Sequence, residues 1–126
     1  MKLKLSVIVL IFFTVISFSC AQEKSGTDIT VAQLKQQMKT DSTLVILDVR
    51  TPPELSGALG QIDNVVNIPV QELEKRIDEL KKYMDKNIDV ICRTGHRSRI
   101  ATDILIKNGF NAKNVLGGMT QYRAEK

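Results

Sequence analysis

Short apolar runs alternate with amphipathic stretches along most of this chain. Thr30 to Met38 carries Val31, Leu34 and Met38 at helical spacing, with Thr30 or Asp28 available as the cap. Leu44-Val45-Ile46-Leu47 is a continuous aliphatic run, as expected of a strand covered on both faces, and it ends at Asp48-Val49-Arg50. Thr51-Pro52-Pro53-Glu54 then opens a helix, with Thr51 as cap and proline in the first turn. Gly57 and Gly60 mark a loop, and Val65-Val66-Asn67-Ile68 is a second strand stopped by Pro69. From Gln71 to Tyr83 the period is helical, with Val70, Leu73, Ile77 and Leu80 on one face and the charges opposite. Ile88-Asp89-Val90-Ile91 is a third strand. Ser98 to Asn108 reads as a helix with Ile100, Ala101, Ile104 and Leu105 inward, stopped at Gly109. Lys113-Asn114-Val115-Leu116 is a last strand, followed by Gly117-Gly118 and a short closing helix from Met119 to Arg123. Strands alternating with helices predict an α/β fold with a mainly parallel sheet, whose sites lie at the carboxyl ends of the strands.

A length of 126 residues with 43% apolar content is room for one globular domain. The formal charge of +4 falls to about +2 without Lys2 and Lys4, two positive charges in a segment that reads as removable. No Lys/Arg stripe with interleaved aromatics is present, so nucleic acid is not an expected partner.

Residues 1–20 read as a targeting segment. Lys2 and Lys4 start it, and the apolar run from Leu5 to Phe18 is the length of a signal-peptide core and short for a bilayer span. Ser19-Cys20 at its end resembles a bacterial lipobox, although Ser17 stands where leucine is usual. Lipidation of Cys20 is the reading adopted. Cleavage after Ala21 and an uncleaved anchor are the alternatives. Each places the remainder outside the cytoplasm of a bacterium, on the periplasmic side of a membrane. Residues 21–27 are a polar tether, and residues 28–126 form the folded domain. Cys20 and Cys92 are the only cysteines, so lipidation or loss of Cys20 leaves Cys92 without an internal disulfide partner.

Cys92-Arg93-Thr94-Gly95-His96-Arg97-Ser98 joins the strand ending at Ile91 to the next helix. Each residue alone has an ordinary explanation. A cysteine ending a buried strand is commonly a small core residue, and arginines are commonly solvated. His96 is the sole histidine, so a histidine-based metal cluster is not available. Together they predict something else. A thiol there faces a helix N-terminus, Gly95 permits a tight turn, and loop N–H groups can form an anion nest. Such a setting favours the thiolate, and Arg93 and Arg97 can bind an oxyanion through paired hydrogen bonds.

This loop resembles the active-site loop of single-domain rhodaneses. Other landmarks agree in order. Leu47-Asp48-Val49-Arg50-Thr51-Pro52-Pro53-Glu54 resembles the family's first strand and acidic turn, and Gly60-Gln61-Ile62 through Val66-Asn67-Ile68-Pro69 its next segment. Gly109-Phe110 and Leu116-Gly117-Gly118-Met119 resemble its close. Gln61, Tyr122 and Asp63-Asn64 depart from the family pattern outside the Cys92 loop. The resemblance implies a five-stranded, mainly parallel sheet with helices on both faces. It implies a sulfurtransferase in which Cys92 carries sulfur as a persulfide from a donor such as thiosulfate to cyanide or a thiol, a protein thiol included. Arg93, Thr94, Gly95, His96, Arg97 and Ser98 would bind substrate, with the arginines holding the donor's oxyanion or bracing the loop. Asp48, Arg50 and Glu54 would give structural support, Asp48 and Arg50 pairing with the loop or with Glu54. Neither cofactor nor metal is implied.

Two other classes compete with sulfur transfer: a thiol-redox or sulfur-relay docking module, and a cysteine phosphatase or arsenate reductase. Loop length speaks against the last. Four residues separate Cys92 from Arg97, whereas cysteine phosphatases with this cradle have five. The smaller ring of N–H groups suits one sulfur atom better than a tetrahedral oxyanion, whose oxygens each need a donor.

Overall fold

The protein is described by a computed structural model covering residues 26–126. The predicted signal segment, Cys20 and most of the tether lie outside the described residues. The elements run β1 (Asp28–Ile29), α1 (Val31–Thr40), β2 (Val45–Asp48), α2 (Pro52–Leu55), β3 (Val66–Asn67), two 3-10 segments (Val70–Glu72 and Glu74–Tyr83), β4 (Asn87–Ile91), α3 (His96–Lys107), β5 (Asn111–Val115) and α4 (Gly118–Ala124). The strands form one sheet in the order β1-β5-β4-β2-β3, with every pairing parallel. Asp48 lies opposite Ile91 and Asn67, so the carboxyl ends of β2, β3 and β4 are level. The expected α/β architecture, a five-stranded parallel sheet with helices on both faces, is the one observed.

Alternation along the strands sends side chains into two cores. Val45, Leu47, Ile88, Val90 and Ala112 meet Leu73, Leu80, Ala101 and Leu105 on the face covered by α3 and the 3-10 segments. Ile46, Ile91 and Val115 meet Val31, Leu34 and Met119 on the face covered by α1 and α4. Full burial of such side chains stabilises by about 1.5–3 kcal/mol each. Thr30 caps α1: its hydroxyl accepts from the Gln33 N–H, and its own N–H donates to Gln33 Oε1.

Several expectations are corrected here. Asp28 is no cap but begins β1, the edge strand, whose two residues pair with Asn114 and Val115. The stretch predicted as an ordinary helix from Gln71 to Tyr83 is 3-10, closed by bonds such as Arg76 N–H to Leu73 O and Met84 N–H to Lys81 O. Ile77, Leu80 and Tyr83 recur every third residue, which stacks them on one edge of a three-residue turn. Helix α3 starts at His96, two residues before Ser98. Ile100 and Met38, expected inward, are 44% and 38% exposed, because α3 and α1 turn narrower faces to the sheet.

Asp89 breaks the apolar pattern of β4. It is 1% exposed and neither carboxyl oxygen has a hydrogen-bond partner among the described residues. Burial pushes its carboxyl up to about 6, against an opposing pull from Lys113 and a small further push from Asp41. The folded state thus holds a proton that the unfolded chain has released, and stability falls as pH rises from about 4 to about 6. Asp89→Asn should raise stability by about 1–2 kcal/mol above pH ~7 and by nothing below pH ~4. Urea unfolding across that range checks it; an equal effect at both ends would show that ionisation is not the cause.

Candidate active site

Cys92 follows β4 directly and is buried. The chain then turns through Gly95, whose φ of 103° caps α3 in the left-handed region open to glycine. A side chain at Gly95 would also press on the Gly117 nitrogen, 3.2 Å from an added Cβ. The turn aims the first turn of α3 at the sulfur. The Gly95 N–H donates to Cys92 Sγ at 3.0 Å, and the buried Ser98 hydroxyl lies 3.3 Å from it. Burial pushes the Cys92 thiol up. Hydrogen bonding from the Ser98 hydroxyl and from the N–H groups of Ser98, Gly95 and Thr94 outweighs that, and the thiol titrates below its ordinary value. The sulfur therefore sits among hydrogen-bond donors that favour its thiolate form.

The loop is fixed from behind. The Met119 N–H donates to Cys92 O at 2.8 Å, and the Thr120 N–H to Arg93 O at 3.0 Å. Those two bonds tie the start of the loop to α4. Sequence reading found Gly117-Gly118 but gave the segment no part in the site.

The two loop arginines differ in their surroundings. Arg97 gives both terminal nitrogens to Glu54, at 2.7 and 2.8 Å. Glu54 Oε2 also accepts from the Thr51 N–H and hydroxyl, and the Arg97 guanidinium holds its carboxyl down at about 2. Arg97 thus braces the loop against α2. Arg93 is exposed, with no ion-pair partner among the described residues. It lines a cleft of about 260 Å³ together with Arg50, Glu54, Gly57, Ala58 and Leu59. Thr94 and His96 are exposed on the loop's outer side.

Asp48 and Arg50 sit behind this wall. Arg50 binds the Asp48 carboxylate through Nε and Nη2, the latter at 2.7 Å, and both residues are buried. The pairing of Asp48 and Arg50 with the loop or with Glu54 is expected from the sequence; their main partners are each other. Arg50 reaches only the Glu54 carbonyl, at 3.4 Å, and donates to Gly60 O at 2.8 Å, pinning both ends of the segment that walls the cleft. Asn67 donates to the Asp48 and Arg50 carbonyls.

Comparison with known proteins agrees with this geometry. Residues 30–125 match the rhodanese-like domain family. The chain is 35% identical over 98 residues to "Putative sulfurtransferase YtwF" of Bacillus subtilis, covering 78% of this chain and 91% of that one. It is 38% identical over 105 residues to "Putative sulfur carrier protein YrkF" of the same organism, covering 82% of this chain and spanning only 55% of that relative's length. Among solved structures, a rhodanese-related protein from Thermoplasma volcanium superposes with a TM-score of 0.69 at 37% identity, over 78% of this chain and 91% of that one. The family match spans nearly all of the folded domain, and the five-stranded parallel sheet superposes on that of a rhodanese-related protein: this chain belongs to the rhodanese-like domain family.

Proposed function

We propose that this domain is a sulfurtransferase that carries sulfane sulfur on Cys92. The observation behind it is the set of donors around Cys92 Sγ, which favours the thiolate. The thiolate attacks the outer sulfur of a donor such as thiosulfate. The Cys92 S–S bond forms, the donor's S–S bond breaks and sulfite leaves with the electron pair. The persulfide then passes its terminal sulfur to cyanide or to a thiol, which regenerates the thiolate. The sulfurtransferase name of YtwF supports the reading. Incubation with thiosulfate followed by peptide mass measurement tests it: one reducible sulfur should be gained on the Cys92 peptide. An unchanged mass with several sulfane-sulfur donors would overturn the proposal.

In this scheme Arg93, facing the cleft, receives the donor's oxyanion, and Arg97 acts through the loop. Loss of one charge-assisted hydrogen bond costs about 1.5–3 kcal/mol. Arg93→Ala should therefore lower kcat/KM for thiosulfate by about tenfold or more with the melting temperature unchanged. Arg97→Ala should lower turnover and melting temperature together, because it also unpairs Glu54. Equal, purely kinetic losses in both variants would make Arg97 a direct ligand instead.

The exported, lipid-anchored state is proposed on the sequence: a basic start, an apolar core, the Ser19-Cys20 junction and a polar tether. Full-length chain expressed in a bacterium should fractionate with membranes, and Cys20→Ala should abolish the lipid mass. Retention of the same mature mass and fraction in that variant would rule out lipidation.

A further inference from the structure

Gly118 lies outside the Cys92 loop yet touches its backbone. A Cβ at Gly118 would stand 2.5 Å from Cys92 O and 2.6 Å from both the carbonyl carbon and oxygen of Arg93. No flexible side-chain end is involved; the contact is backbone on backbone. The neighbouring Met119 and Thr120 N–H groups bond those same two carbonyls. The peptide unit is planar, so the Arg93 carbonyl and the Thr94 N–H move as one rigid plate. The Cys92 carbonyl and the Arg93 N–H are coupled in the same way. Displacing the Arg93 carbonyl therefore turns the Thr94 N–H, one of the backbone donors to the sulfur.

We propose that Gly118 is a positioning residue for sulfur chemistry: its bare Cα lets α4 close on the Cys92 loop, and that contact keeps the loop's N–H groups turned toward Sγ. The proposal rests on Cys92 being the reacting thiol, but its consequence is visible without any turnover. Gly117 supplies a matched control. Both glycines have left-handed φ, 77° at Gly117 and 55° at Gly118. A Cβ at Gly117 meets only the Gln121 side chain, at 2.6 Å for the nearest atom. Alanine at either position carries backbone strain, and only alanine at Gly118 strikes the loop.

The test is the pH dependence of iodoacetamide alkylation at Cys92 in the full-length chain, read on the Cys92 peptide, with melting temperatures measured alongside. Gly118→Ala should raise the apparent thiol pKa by about one unit or more, a tenfold loss of thiolate at a given pH below it. Gly117→Ala should lose stability yet keep the wild-type thiol pKa. Thr120→Pro removes the N–H that holds Arg93 O, at a first-turn position that has no intrahelical bond to lose, and presses on Met119, whose N–H holds the other carbonyl. It should shift the thiol in the same direction as Gly118→Ala, and it carries the test alone if that variant does not fold. A wild-type thiol pKa in folded Gly118→Ala or in Thr120→Pro overturns the proposal, and so does an equal shift in Gly117→Ala. Failure of the wild-type chain to take up sulfur would sink the proposed function while leaving this comparison intact.

Discussion

Cys92→Ser is expected to take up no sulfur from any sulfane donor and to reduce thiosulfate turnover to the uncatalysed background. A hydroxyl in the same ring of donors is far too weak an acid to ionise, and an oxygen there cannot form the persulfide that divides the reaction into two steps. The substitution removes one buried sulfur without a new clash, so the fold should survive and the loss is chemical. Two measurements check it: sulfur retained on the protein after thiosulfate treatment, and steady-state thiocyanate formation with cyanide. Turnover that persists in the serine variant would show that Cys92 is not the carrier. Substantial aryl phosphate hydrolysis dependent on Cys92 would show instead that the four-residue spacing to Arg97 admits a tetrahedral anion.

The second large effect is on stability. Arg50 is 1% exposed and its partner Asp48 is fully buried. Removing one member of such a pair strands the other charge in the interior, which costs about 3–5 kcal/mol. A domain of this size has about 5–15 kcal/mol in total. Arg50→Met should therefore shift urea unfolding strongly or prevent folding at 37 °C. It also frees Gly60 O and the Glu54 carbonyl, which loosens the cleft wall beneath Arg93. Asp48→Leu combined with Arg50→Met should recover part of the stability, because no charge is then left unpaired. A double variant no more stable than Arg50→Met alone would show that the bonds to the cleft wall, rather than the stranded charge, set the cost.

The α/β class, the strands β2 to β5, most helix positions and the Cys92 loop are legible in the sequence alone. These depend on neighbours a few residues apart: a run of β-branched residues, a helical period, a glycine at a tight turn. The loop was legible because Cys92, Gly95 and Ser98 are close in the chain as well as in space. Tertiary structure alone decided the rest. The two residues of β1 carry too little pattern to read as a strand, and their pairing with Asn114 and Val115 makes them one. A helical run of apolar positions does not distinguish a 3-10 from an α-helical backbone, so the form of the stretch to Tyr83 is seen only in the structure. The roles of the two arginines look interchangeable in sequence. They separate only because Glu54, 43 residues from Arg97, is folded against one of them. Gly118 comes against Cys92 and Arg93 only after β5 has paired with β4 and the chain has turned back into α4. Contacts of that kind are set by how distant segments are brought together, and no local pattern of hydrophobic and polar residues encodes them.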